Sequence, residues 1–246
     1  MRQPTLHQRA KQRYWVAAFS LIAALAVSTA PAAKDAADTN VSPALEPAPA
    51  LQQYRALRRM HAKSEKFNHE GWMEAWTELD ANGFRYRIVS ERGSDTVRKK
   101  VFKALLEKER ELIAKGEPEK SDLTPDNYTF APESTGDGCR HIVIKPKRKD
   151  VTLVDGRIVL SEDGRELLRV EGMLAKNPSF WTNSVNVIRH YALLDGVRVP
   201  IATESMAKVK FAGLSTLDVE YEYEQINGRP VSTAARTVAA NYSISR

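Results

Sequence analysis

The stretch Val185-Asn186-Val187-Ile188-Arg189-His190-Tyr191-Ala192-Leu193-Leu194-Asp195-Gly196-Val197-Arg198-Val199-Pro200-Ile201 decides the fold class. Val185, Val187, Tyr191 and Leu193 lead into an Asp-Gly pair, and Val197, Val199 and Ile201 alternate away from it. Period-two alternation marks strands, and Asp-Gly accepts the positive φ angles of a tight hairpin turn. Similar pairs stand at Asp137-Gly138, Asp155-Gly156, Asp163-Gly164 and Asn227-Gly228, with Asn82-Gly83 further upstream. Residues 139–228 therefore predict an antiparallel meander with turns at those pairs.

Reading outward, Leu217, Val219, Tyr221 and Tyr223 oppose Asp218, Glu220, Glu222 and Glu224. That split gives a strand with one dry face and one wet face, and fixes its register. Ile142 and Ile144, Val151 and Leu153, Ile158 and Leu160, and Leu168 and Val170 supply the earlier strands. Before them, Gly71 to Leu79 alternates Trp72, Glu74, Trp76 and Glu78 against Met73, Ala75, Thr77 and Leu79. After Asn82-Gly83, Phe84, Tyr86 and Ile88 continue the pattern as the second arm of a hairpin.

Two segments read as helices. Leu51, Tyr54, Leu57 and His61 keep a spacing of three and four, which predicts an amphipathic helix over 51–66. Ser94 or Asp95 caps a second, running to about Lys115, with Val97, Val101, Leu105 and Leu112 as its apolar stripe. Residues 117–138 read as a loop with a short strand piece at Asn127–Phe130. The tail, 229–246, is weakly patterned and either frays or adds an edge strand.

The N-terminus carries a different signal. Arg2, Arg9, Lys11 and Arg13 precede an apolar run from Val16 to Val27, and Ala30-Pro31-Ala32 offers a cleavage pattern. The run is short of the roughly 20 residues of a spanning helix. Residues 1–33 are thus expected to be a cleaved export signal, cut near Ala30–Ala33, and 34–50 a Pro- and Ala-rich linker. Without the first 33 residues, 33 basic side chains face 31 acidic ones, a net charge of +2 instead of +6. Charge then gives little support for nucleic-acid binding. Cys139 is the only cysteine, so no internal disulfide forms. The Cys139–His141 step has no second ligand pair and reads as strand residues.

The expected architecture is α+β: a strongly curved antiparallel sheet of about 8–10 strands, an unclosed barrel, with two main helices over its concave face. A wide twisted sheet with so little helix leaves a face that needs filling. Trp72, Trp76, Phe84, Tyr86, Phe180, Trp181, Tyr191, Tyr221 and Tyr223 are the candidates for an apolar ligand cavity there. Taken one at a time, each is an ordinary core aromatic. Lys145, Lys147, Arg148 and Lys149 form a short basic run that suits an anionic surface, or simply a charged strand end.

Three phrases carry a family resemblance: Val154-Asp155-Gly156-Arg157-Ile158, Leu167-Leu168-Arg169-Val170, and Leu194-Asp195-Gly196-Val197-Arg198-Val199-Pro200. With the export signal and the Trp-rich hairpin, residues 51–228 resemble the periplasmic lipoprotein-sorting (LolA/LolB-like) superfamily. The resemblance implies an unclosed barrel with a helical lid. It also implies a periplasmic, non-catalytic carrier of a lipid, acyl chain or lipidated polypeptide. The same fold serves as a stress sensor acting on a membrane protein partner (RseB-like), which is the alternative.

An enzyme is the rival of another class. No H-E-x-x-H and no G-x-S-x-G occurs, and Gly136-Asp137-Gly138 is too short to cradle a phosphate. Glu162-Asp163 and the four acids of the last strand leave a carboxylate-dependent hydrolase as a further alternative. No catalytic residue, metal ligand or cofactor is expected.

Overall fold

A computed structural model describes residues 49–116, 121–132, 138–210 and 213–237. The expected export signal, most of the linker and the end of the tail lie outside those residues. The chain runs β1 (Tyr54–Ser64), β2 (His69–Asp80), β3 (Gly83–Gly93), then a helix. β4 (Tyr128–Pro132), β5 (Cys139–Pro146), β6 (Val154–Ser161) and β7 (Leu167–Leu174) follow. β8 (Thr182–Leu194), β9 (Val197–Val209), β10 (Gly213–Ile226) and the two-residue β11 (Arg229–Pro230) complete it.

The strands make one antiparallel sheet in the order β3-β2-β1-β10-β9-β8-β7-β6-β5-β4, with β11 beside β10. The sheet is neither closed nor strongly curled, which corrects the expected half-barrel. The molecule is mostly β with one main helix. The second expected helix, 51–66, is the central strand β1. It pairs along its whole length with β2 on one side and β10 on the other.

Local pattern explains the error. Tyr54, Ala56, Arg58, Met60, Ala62 and Ser64 are all buried, a strict alternation. A guanidinium and two alanines hide that alternation from a hydropathy reading. Leu57 and His61, counted toward a helical stripe, lie on the other face.

Segments Asp95–Val97, Arg98–Phe102 and Lys103–Ala114 run on as one helix of 20 residues, α1, which is π-helical over Arg98–Phe102 near its start. Ser94 stands at its N-cap and Gly116, at φ 65°, follows its C-terminal end. Val97, Val101 and Leu105 are buried as the stripe predicts, joined by Phe102, Leu106 and Glu109. α1 packs on β2 and β3. Gly71 of β2 permits this closeness, because a Cβ there would stand 3.0 Å from the Val97 side chain. The connection through α1 carries the chain from one edge of the sheet, β3, to the other, β4.

The hairpin turns divide. At Asp195-Gly196 both residues have positive φ, 48° and 83°, as a type I′ turn requires. Asp155-Gly156 is a correction: it lies inside β6, where Gly156 pairs with Gly172 of β7. A Cβ on Gly156 would come within 2.1 Å of the Glu171 carbonyl oxygen, and one on Gly172 within 2.3 Å of that of Asp155. These glycines serve close approach of two strands rather than a turn.

One face of the sheet is dry throughout. Ile142, Ile144, Ile158, Leu160, Val170, Val185, Val187, Val199, Leu217 and Val219 are all buried and form one core with the α1 stripe. In the tail, Val231 and Ala235 join that core and residues 233–237 are helical. The Ser232 amide and hydroxyl donate to Asp195 at 2.8 and 2.7 Å, tying the tail to the β8–β9 turn.

Candidate binding face beneath helix α1

The dry face carries a charge where α1 crosses β1. Arg58 is fully buried and Glu109 of α1 nearly so, at 2% exposure. Arg58 Nη1 donates to Glu109 Oε2 at 2.5 Å and Nη2 to Oε1 at 2.7 Å, a two-pronged contact. Nη2 also donates to the Tyr54 hydroxyl at 2.6 Å, and that hydroxyl points at Glu109 Oε1 from 3.4 Å.

Aromatic rings wall the pair. The Arg58 guanidinium carbon stands 4.8 Å from the Tyr221 ring and 5.4 Å from that of Phe84. Tyr223 stacks on Tyr221 at 6.2 Å and meets Tyr54 edge-on at 5.9 Å. The Tyr223 hydroxyl donates to the Pro200 carbonyl at 3.0 Å, and Tyr221 is hydrogen-bonded to Thr203. Further along the same face, Arg189 of β8 is buried and is felt electrostatically by both Tyr221 and Tyr128.

The electrostatics follow from burial. Burial is the largest influence and works against the Arg58 charge, but Glu109, Tyr54 and Tyr221 together prevail and hold the guanidinium firmly protonated. Burial likewise pushes the Tyr54 and Tyr223 hydroxyls well above the ordinary tyrosine range and raises that of Tyr221. Such a pair adds little net stability against apolar residues of the same volume, because both ions are stripped of water.

The nine aromatic candidates separate onto different parts of the molecule. Phe84, Tyr221 and Tyr223 converge around Arg58. Tyr86, half-buried on the same side, donates its hydroxyl to Glu107 of α1. Trp72 and Trp76 lie on the opposite, wet face: Trp72 stacks on His61 at 4.9 Å under Arg92, and Trp76 lies under Arg55. They cannot share a site with Tyr221.

Phe180, 78% exposed, and Trp181 sit at the β7–β8 connection, with Lys210 over the Phe180 ring. Tyr191 is partly buried against the core. It follows a register shift that turns Leu193 outward and Leu194 inward, reversing the alternation expected at Leu193.

Lys145, Lys147, Arg148 and Lys149 are exposed at the end of β5. Lys145 is paired with Asp155 at 2.6 Å, and Arg148 donates to Asn127 at 2.5 Å.

The dry face is filled by its own side chains. The surface does hold an open depression of about 360 Å³, lined by Val143, Gly156, Arg157, Glu171, Asn186 and Ile188 among others. Another, of about 530 Å³, is formed by Ser161, Glu162, Asp163 and Glu166. Neither reaches α1. Among the described residues, no group of three His, Cys, Asp or Glu is placed to hold a metal. None of their helices is long and apolar enough to cross a membrane.

Sequence reasoning missed Arg58, Glu109 and Tyr54. Signals for them existed: Glu109 continues the four-residue spacing Val97, Val101, Leu105, and Arg58 sits mid-way in an inward alternation.

No protein-family model matches this chain, and no curated protein does either. Among solved structures, the chain is similar to a DUF1329 family protein from Desulfovibrio piger. The identity is 11% over 69% of this chain and 83% of that one, with a TM-score of 0.31. So distant a likeness bears on neither ligand nor reaction.

Proposed function

We propose that this chain is an exported, non-catalytic binding protein of lipoprotein-carrier type, taking an acyl chain between α1 and the dry face of the sheet. The observation that carries the reading is the buried Arg58–Glu109 contact under α1. It places a charged group at the main helix covering an apolar face, where apolar residues would serve stability as well. Phe84, Tyr221 and Tyr223, three of the rings proposed from the sequence, surround that contact and support the reading.

The filled interior requires α1 to move for a ligand to enter. Val97, Val101, Phe102, Leu105 and Leu106 would lose their burial, at roughly 8–15 kcal/mol for five such side chains. An acyl chain burying about 12 methylenes returns roughly 10 kcal/mol. The two nearly balance, so exchange of helix for ligand is a feasible equilibrium.

Extraction of the purified protein followed by lipid mass spectrometry tests this reading. Co-purified acyl lipid, or binding of a fluorescent fatty acid, is the expected result. An empty protein that binds no acyl probe contradicts it.

A further inference from the structure

The arrangement around Arg58 is specific for a carboxylate. Both Nη atoms face both Glu109 oxygens, and the Tyr54 hydroxyl approaches one of them. A planar guanidinium meets a carboxylate in this way because donors and acceptors are equally spaced. The receiving side belongs to the sheet: Arg58 and Tyr54 on β1, Phe84 on β3, Tyr221 on β10. Glu109 alone belongs to the helix. When α1 leaves the face, the carboxylate leaves with it and the fork stays behind.

A second feature points the same way. Arg58 Nε, in a side chain with no exposure, meets no hydrogen-bond acceptor among the described residues. Glu109 engages the two Nη atoms and leaves this third position. A buried donor without an acceptor calls for one.

We propose that the interior face takes a long-chain monocarboxylate, a fatty acid, whose carboxylate replaces that of Glu109 on Arg58 while its chain occupies the apolar surface uncovered by α1. This rests on the binding reading above and adds the chemical class of ligand. Glu109 is then an internal competitor that closes the face when no fatty acid is present. A neutral alcohol of equal length brings one uncharged oxygen and leaves the buried guanidinium charge without a counter-charge, so the face discriminates against it.

Titration calorimetry of the purified protein with dodecanoate and with dodecanol separates the possibilities. The expected result is dodecanoate binding about tenfold or more tighter than dodecanol, the worth of a charge-assisted hydrogen bond. Glu109→Gln, which keeps the shape and removes the competing charge, should tighten dodecanoate by a comparable factor of about ten. Equal affinity for acid and alcohol overturns the carboxylate assignment and leaves the binding reading standing. Unchanged or weaker dodecanoate binding by a folded Glu109→Gln overturns the competitor role. Binding of neither probe overturns this proposal together with the reading beneath it. The acid–alcohol comparison needs only the unaltered protein, so it decides even if the variant fails to fold.

Discussion

Glu109→Leu is expected to destabilise the protein far more than its mirror on the surface. Removing the carboxylate leaves the Arg58 guanidinium charged, fully buried and short of two acceptors at 2.5 and 2.7 Å. Breaking a buried pair from one side costs about 3–5 kcal/mol. At about 2–4 °C per kcal/mol for a domain of this size, Tm falls by roughly 6–20 °C. Arg58→Met in the same protein should return most of that loss. The double variant puts two apolar side chains into a wall already made by Phe84, Tyr54 and Tyr221, and should be within about 1 kcal/mol of the parent or more stable. Arg59, the next residue, is the control: it points to the wet face, 47% exposed, against Glu222 and Glu74. Arg59→Met should cost less than about 1 kcal/mol. Urea unfolding followed by circular dichroism measures these three variants, Arg58→Met alone and the parent. A Glu109→Leu loss as small as that of Arg59→Met would mean water reaches Arg58. A double variant as unstable as the summed single losses would mean the pair is not coupled. Either result refutes the reasoning.

Other outcomes follow from the same geometry. Burial, then the hydrogen bond and charge of Glu107, raise the Tyr86 hydroxyl to about 12. A raised folded value means its contribution is complete below about pH 10, the ordinary tyrosine value, and is lost as pH rises through about 12. Tyr86→Phe should soften that alkaline decline in denaturant titrations. Glu171 behaves oppositely. Burial pushes its carboxyl up, but hydrogen bonds from Arg169 and Arg157 prevail and hold it below the usual range. Its contribution is present above about pH 4.3 and lost as pH falls further, so Glu171→Gln should flatten the acid limb of the stability profile. Gly172→Ala, whose Cβ would meet the Asp155 oxygen at 2.3 Å, should cost about 1–3 kcal/mol in thermal unfolding or abolish folding.

Much of the sheet was legible because its physics is local. The hairpin at Asn82-Gly83, the helix from Asp95 and the strands around Asp195-Gly196 each announce themselves by period and turn chemistry. β1 did not. Its inward residues are Tyr54, two alanines, Arg58, Met60 and Ser64, and a buried arginine looks polar to any hydropathy pattern. The same residue that conceals the strand creates the candidate site, so fold and site were missed together. Asp155-Gly156 misled for a different reason. Gly156 answers to Gly172, sixteen positions away in the chain, and no local rule reports a partner on the neighbouring strand. Trp72 and Trp76 were correctly placed on one face of their strand, but the sequence alone did not say which face was dry. The acidic residues that alternate with them, Glu74 and Glu78, pair with Arg59 and Arg55 and mark the wet side.

The account depends on α1 yielding its place on the sheet to an acyl chain. Hydrogen exchange of the α1 backbone, measured with and without saturating dodecanoate, tests that directly. Faster exchange over residues 97–113 in the bound protein, with β1 and β10 still protected, is the predicted result. Dodecanoate bound with α1 exchange unchanged or slowed would contradict it.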